Sequence, residues 1–253
     1  MIKMKGGFTL IEVSLFLAIT GLLFLGVTIG VQNSIFQQRY NDSVQSFVEF
    51  LRNAYAKTEN VQNAGSGDSN QAIYGKLITF GEECSLTSSP SSCVKNTDNE
   101  VYMYSVVGAA RCGSGFGTLS VLSGCNANVI KDGGGPYLAE SYKPKWSSVI
   151  QDINWNMFKG AIMIVRHPQS GTVYTFSMTG KTVEVNKGIG LKNFLNDNDS
   201  PFSNDRPVDF CINPNGNTDS GIMRADVRIV GGARNATGIE VVSDNDNSCV
   251  ERG

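Results

Sequence analysis

The chain has 253 residues, 41% of them hydrophobic and 9% aromatic, enough to build a sizeable core and too apolar for wholesale disorder. Its formal net charge of −2 argues against a protein built mainly to coat nucleic acid, and a charged fraction of 17% sits below the roughly 25% usual for soluble domains. A single histidine, His167, removes most zinc sites and His-based triads.

Residues 1–7 read MIKMKGG, short, basic through Lys3 and Lys5, and closed by two glycines. Phe8-Thr9-Leu10-Ile11-Glu12 follows, then residues 13–31 without a formal charge. As a helix rising about 1.5 Å per residue, that run covers nearly the hydrocarbon thickness of a bilayer. Its interruptions (Ser14, Thr20, Gly21, Gly26, Thr28, Gly30) are small, which a membrane helix tolerates. The positive-inside rule keeps Lys3 and Lys5 cytoplasmic and sends the chain beyond Gln32 outward. A cleaved secretory signal would be shorter and end in a small-x-small site. A plain anchor leaves Glu12 unexplained, because an ionisable group in a membrane segment calls for a partner. Cleavage between Gly7 and Phe8 would supply one. The new α-amine lies close to Glu12, and opposite charges in a low-dielectric bundle attract strongly.

The string G-F-T-L-I-E-V after a short basic leader resembles the start of type IV prepilins and the related pseudopilins of type II secretion, over residues 3–31. The resemblance implies cleavage after Gly7 by a prepilin peptidase and N-methylation of Phe8. It makes Glu12 the assembly carboxylate, paired with a neighbour's Phe8 amine. It also implies other pilin subunits and an inner-membrane assembly platform as partners. The precursor is then a single-pass cytoplasmic membrane protein with its head outside, and the mature form belongs to a surface filament. Gly21 matches a glycine at which many pilin helices loosen, whereas the proline that often follows eight residues later is Ile29 here.

Beyond the apolar run, Val31, Ile35, Tyr40, Val44, Phe47, Val48, Leu51, Ala54 and Tyr55 recur mostly at three- to five-residue spacings. No Gly or Pro interrupts residues 31–63, which predicts an amphipathic continuation with one packing stripe. The whole helix, 8–62, is expected to run roughly 80 Å and to stop at the glycine-rich residues 64–68. Strand patterns follow at 72–80, 101–107, 118–122, 160–166, 172–178, 208–212, 226–230 and 238–242, with 167–171 as a hairpin connection and 191–196 as a short helix. The expected architecture is α+β: a long N-terminal helix, its first half spanning the membrane, packed on an antiparallel β-sheet head. The divisions are a leader (1–7), a transmembrane and polymerisation helix (8–31), its amphipathic continuation (32–63) and a disulfide-stabilised head (64–253).

All six cysteines (Cys84, Cys93, Cys112, Cys125, Cys211, Cys249) lie beyond the apolar run, on the side where disulfides persist. Fifteen pairings are open; closure of the shortest loops favours 84–93, 112–125 and 211–249. Arg224, Arg228 and Arg234 form a candidate anionic-ligand patch for DNA or a host surface. A solvated edge-strand face is the simpler reading, since losing Lys3 and Lys5 takes the net charge from −2 to −4. The stretch from Cys211 to Arg234, with Leu51, Arg52, Ala54 and Ala56 late in the helix, is similar in part to minor pilins related to the secretion pseudopilin H and to DNA-binding competence pilins. That similarity keeps adhesion, DNA uptake and secretion as alternative roles. Asp197, Asp199 and Asp205, and a second Asx-rich run at 244–247, offer oxygen ligands for Ca²⁺, but neither has EF-hand order and Asx turns explain both. No metal, cofactor or catalytic constellation is expected, and the chain reads as a structural subunit rather than an enzyme.

Overall fold

The computed structural model describes residues 9–60, 71–80, 82–84, 93–95, 99–109, 128–130, 140–154, 156, 158–167, 170–179, 206–214, 225–242 and 249. The chain divides into two units, Met1–Asp42 and Ser43–Gly253. One helix, α1 (Leu10–Glu59), runs through the division. Over the apolar run its large side chains are exposed, Leu10 at 85% and Phe24 at 73% among them.

In the second unit the same helix becomes a core element. Val44, Phe47, Val48, Leu51, Ala54, Tyr55 and Thr58 are buried, spaced by three or four residues, while Gln45, Glu49, Arg52 and Asn53 point outward. That is the amphipathic stripe expected from the sequence. The last turn is closed by side chains: the Arg166 guanidinium donates to the Glu59 carbonyl at 2.7 Å, and Thr58 Oγ1 donates to the Ala54 carbonyl at 2.8 Å. Lys57 lies where a cation suits the negative end of the helix dipole.

Twelve strands are described: β1 (Gln71–Phe80), β2 (Glu82–Cys84), β3 (Cys93–Lys95), β4 (Val101–Ala109), β5 (Asn128–Ile130), β6 (Glu140–Tyr142), β7 (Val149–Gln151), β8 (Gly160–Arg166), β9 (Val173–Thr179), β10 (Val208–Asn213), β11 (Ala225–Ile229) and β12 (Ile239–Val242). The larger sheet has the order β5-β4-β1-β8-β9, with β6 also on β4; the second runs β12-β11-β10-β7; β2 and β3 form a ribbon. Every pair is antiparallel. A bulge interrupts β1 between Ile73 and Gly75, where a Cβ on Gly75 would lie 2.0 Å from the Ile164 carbonyl oxygen. Only glycine lets β8 approach there.

The expected α+β architecture is therefore observed. The expected strands at 72–80, 101–107, 160–166, 172–178, 208–212, 226–230 and 238–242 each fall on a strand, with ends displaced by two residues or fewer. The 167–171 turn closes β8 onto β9: Gly171, at φ +69°, donates to the His167 carbonyl at 2.9 Å, and His167 N donates to the Thr172 carbonyl at 2.8 Å. The expected strand at 118–122, the helix at 191–196 and the glycine-rich stop at 64–68 lie outside the described residues.

The core is where α1 meets both sheets, and aromatic rings fill it. Phe210 of β10 lies 5.4 Å from Phe47 of α1, 5.1 Å from Phe80 of β1 and 4.6 Å from Phe158, centroid to centroid. Beside it, Tyr55 donates its hydroxyl hydrogen to Thr175 Oγ1 of β9 at 2.7 Å, and Thr175 donates in turn to the Ala233 carbonyl between β11 and β12 at 2.7 Å. This relay ties helix, first sheet and second sheet together with every polar atom in it used. Burial pushes the Tyr55 phenol up to about 12, with the Thr175 contact opposing it.

Candidate functional site

The N-terminal part of α1 is built for apolar surroundings. Leu10–Thr28 is long and apolar enough to cross a membrane, and none of it is buried inside the protein. Its hydroxyls are satisfied within the helix: Ser14 donates to the Ile11 carbonyl at 2.9 Å, Thr20 to Phe16 at 2.8 Å, and Thr28 to Phe24 at 2.8 Å. No hydroxyl need look outward for water. Gly26 and Gly30, four residues apart on one face, and Gly21 have nothing within 4 Å of an added Cβ. Such open small positions are those at which helices approach closely in apolar media.

Glu12 is held at the first turn. Its Oε2 accepts from the Thr9 backbone N–H and from Thr9 Oγ1, both at 3.0 Å, while the Glu12 N–H donates back to Thr9 Oγ1 at 3.3 Å. This reciprocal pair is a capping box, and it satisfies two of the helix's orphan donors. The sequence signal T-x-x-E ahead of an apolar run carried it, although the spacing drew attention to Glu12 only as an assembly charge. A carboxylate so oriented stands at the helix mouth, where a cation arriving near residue 9 would meet it. Gly7 and Phe8 lie outside the described residues.

In the head, the cysteines of the last expected pair are joined: Cys211 and Cys249 form a disulfide with Cα atoms 5.4 Å apart. Cys84 and Cys93 face each other in register across β2 and β3. Cys112 and Cys125 lie outside the described residues, as do Asp197, Asp199 and Asp205. Among the described residues no three His, Cys, Asp or Glu side chains converge on a metal-sized site.

Two of the three arginines of the candidate patch are among the described residues, and each has a contact of its own. Arg228 donates to the Asp209 carboxylate on the neighbouring strand, and its second nitrogen lies 3.5 Å from Asp226, whose side chain is 0% exposed. Glu240 is its register partner on β12. Two carboxylates thus lie against this guanidinium. Arg234 lies over the Tyr174 ring at 5.9 Å, a cation–π contact, and Arg224 lies outside the described residues.

A second cationic pair does face inward. Lys57 bonds Glu140, and Lys76 donates to Ser105 Oγ at 2.9 Å. Burial lowers the Lys76 pKa, Glu140 raises it and Lys57 lowers it. This cluster pins β6 to α1 and is structural.

Compared with family models, with curated proteins and with solved structures, the chain matches none.

Proposed function

We propose that this protein is a structural subunit of a type IV pilus or a pilus-like filament. It is made as a membrane-anchored precursor, cut between Gly7 and Phe8 by a prepilin peptidase, and polymerised through its N-terminal helix. The observation that carries this reading is the G-F-T-L-I-E-V string leading directly into an apolar helix that the protein itself leaves uncovered. A helix with side chains such as Leu22, Leu23 and Phe24 exposed needs lipid, other helices, or first one and then the other.

The mechanism is physical. Subunits leave the bilayer and bury residues 8–31 against one another, so the apolar surface never meets water. The Glu12 carboxylate, presented by its cap, accepts the Phe8 amine of a neighbour; neither charge then remains alone in a low-dielectric bundle. The continuous helix transmits tension from this bundle into a head whose own core is formed on the same helix. The Cys211–Cys249 bond supports placement of the head on the oxidising side of the membrane.

The test is mass spectrometry of sheared surface filaments, reading both abundance and the N-terminal peptide. A dominant chain beginning at methylated Phe8 is the expected result for a main subunit. A trace of the same terminus assigns a minor or tip subunit, and a cleaved form confined to the membrane assigns a pseudopilin. An uncut Met1 terminus in cells that process other prepilins refutes the proposal.

A further inference from the structure

Three stretches of the chain read Asn-x-Ser or Asn-x-Thr with no proline between: residues 41–43, 198–200 and 235–237. That pattern is the acceptor motif for N-linked sugar in exported chains. A motif of three residues also recurs by chance, so the fold has to tell the copies apart. Asn41 and Ser43 lie within α1, where residues two apart do not face each other, and Ser43 is buried. Residues 198–200 lie outside the described residues. Asn235 and Thr237 are both exposed, in the turn between β11 and β12.

This turn brings the two side chains together. Thr237 Oγ1 donates to Asn235 Oδ1 at 2.6 Å, and the Thr237 N–H donates to the same oxygen at 3.1 Å. Two donors aimed at one atom fix which end of the amide is oxygen. Neither contact uses Nδ2, the nitrogen that a sugar would join. The base of the turn is held from both sides. Ala233 N–H donates to the Val230 carbonyl at 3.1 Å, and the Ala233 carbonyl accepts from Thr175 Oγ1 at 2.7 Å. Gly238 N–H donates to the Asn235 carbonyl at 3.2 Å, while the Gly238 carbonyl accepts from Val230 N–H at 2.9 Å. Asn235, Ala236 and Thr237 are therefore an outward tip on a fixed base, as suits a loop that another protein must reach.

We propose that Asn235 is an acceptor for N-linked glycosylation, its donor an oligosaccharide carried on a polyprenyl diphosphate. The inference rests on the proposed placement of the head outside the cytoplasm. In the reaction Nδ2 attacks the anomeric carbon of the donor. A C–N bond forms as the C–O bond to the diphosphate breaks, and the diphosphate leaves with the bonding electrons. One amide hydrogen departs as a proton to a base of the transferring enzyme. Losing that proton shifts negative charge onto Oδ1, where the Thr237 hydroxyl and N–H already point. Hydrogen bonds to an ionised acceptor are the stronger ones, so this geometry makes Nδ2 easier to deprotonate. The sugar would stand beside β12, which ends the second sheet among the described strands, and would screen it from pairing with another chain.

The experiment takes the mature chain from its native cells and digests it with a protease that cuts before aspartate. Residues 226–243 then form one peptide, whose single asparagine is Asn235 and single threonine is Thr237. Electron-transfer fragmentation reads the mass on each residue. The expected result is a glycan on Asn235 that is lost in both Asn235→Gln and Thr237→Ala and kept in Thr237→Ser, which retains the hydroxyl. Protease added to spheroplasts reports separately whether the head is outside. A bare 226–243 peptide from a chain whose head is digested there overturns the inference and leaves the placement standing. A glycan that survives Asn235→Gln also overturns it, because the sugar then sits on a hydroxyl. A bare peptide from a head that the spheroplast membrane protects overturns the placement, and the acceptor role with it.

Discussion

The relay from Tyr55 through Thr175 to the Ala233 carbonyl joins three elements, and its two removable members should behave unequally. Tyr55→Phe deletes one buried hydroxyl and leaves Thr175 still donating to Ala233. The cost is that of one net hydrogen bond, about 1 kcal/mol. Thr175→Val removes the middle of the relay. The Tyr55 hydroxyl then has no acceptor there, the Ala233 carbonyl loses this donor, and both sites are buried. Each orphan costs about 1–3 kcal/mol, so about 3 kcal/mol is expected in all. For a unit of this size that is about 2–4 °C in Tm for the first variant and about 6–12 °C for the second. Combining the two replaces the pair by apolar groups, so the double variant should be more stable than Thr175→Val with one further bond lost.

The assay is thermal and urea unfolding of the full chain in mild detergent, followed by near-ultraviolet dichroism. A pH series adds an independent check. The folded phenol titrates at about 12 against an ordinary 10, so folding favours its neutral form. That contribution is present in full below pH 10 and is lost as pH rises toward 12, by up to about 2.7 kcal/mol. Tyr55→Phe has no such dependence, so the gap between parent and variant should close above pH 10. Equal losses from Tyr55→Phe and Thr175→Val, or a pH-independent gap, would refute the relay.

Three further outcomes are expected. Replacing Cys211 by serine should destabilise the head by about 4 kcal/mol, from release of a cross-link with sequence separation 38, measured as the difference in melting with and without reductant. Glu12→Ala or Glu12→Val should leave leader cleavage intact and impair filament incorporation, whereas Thr9→Val, which loosens the cap but keeps the carboxylate, should impair it far less. Equal incorporation of all three in sheared fractions would rule out the charge pairing. A bulky residue in place of Gly7 should block processing, and a mature form of unchanged mass on a gel would place the cleavage elsewhere.

Much of this protein follows from local pattern. A charge-free run after a short basic stretch needs no tertiary partner to be read as an exposed apolar helix, because the pattern and the environment it requires are set residue by residue. The stripe Val44, Phe47, Val48, Leu51, Ala54, Tyr55 is buried as its spacing demands, and alternation marked the longer strands. The Thr9–Glu12 box was equally local and open to reading. Strands of three residues, such as β6 and β7, are too short to show a period, and their pairing with β4 and β10 supplies the definition.

Other features were decided only when distant segments met. Loop length ranked Cys211 with Cys249, but geometry had to bring their Cα atoms to 5.4 Å. Arg228 looked available on its strand until register set Asp209 on one side and Glu240 on the other. Nothing in the chain near Trp146 foretells its left-handed backbone, and the Asn99 side chain that bonds Ser148 and Ile150 just beyond it comes from a different part of the chain. Periodicity records which face of an element is apolar; it carries no information about which polar group from elsewhere will lie against the other.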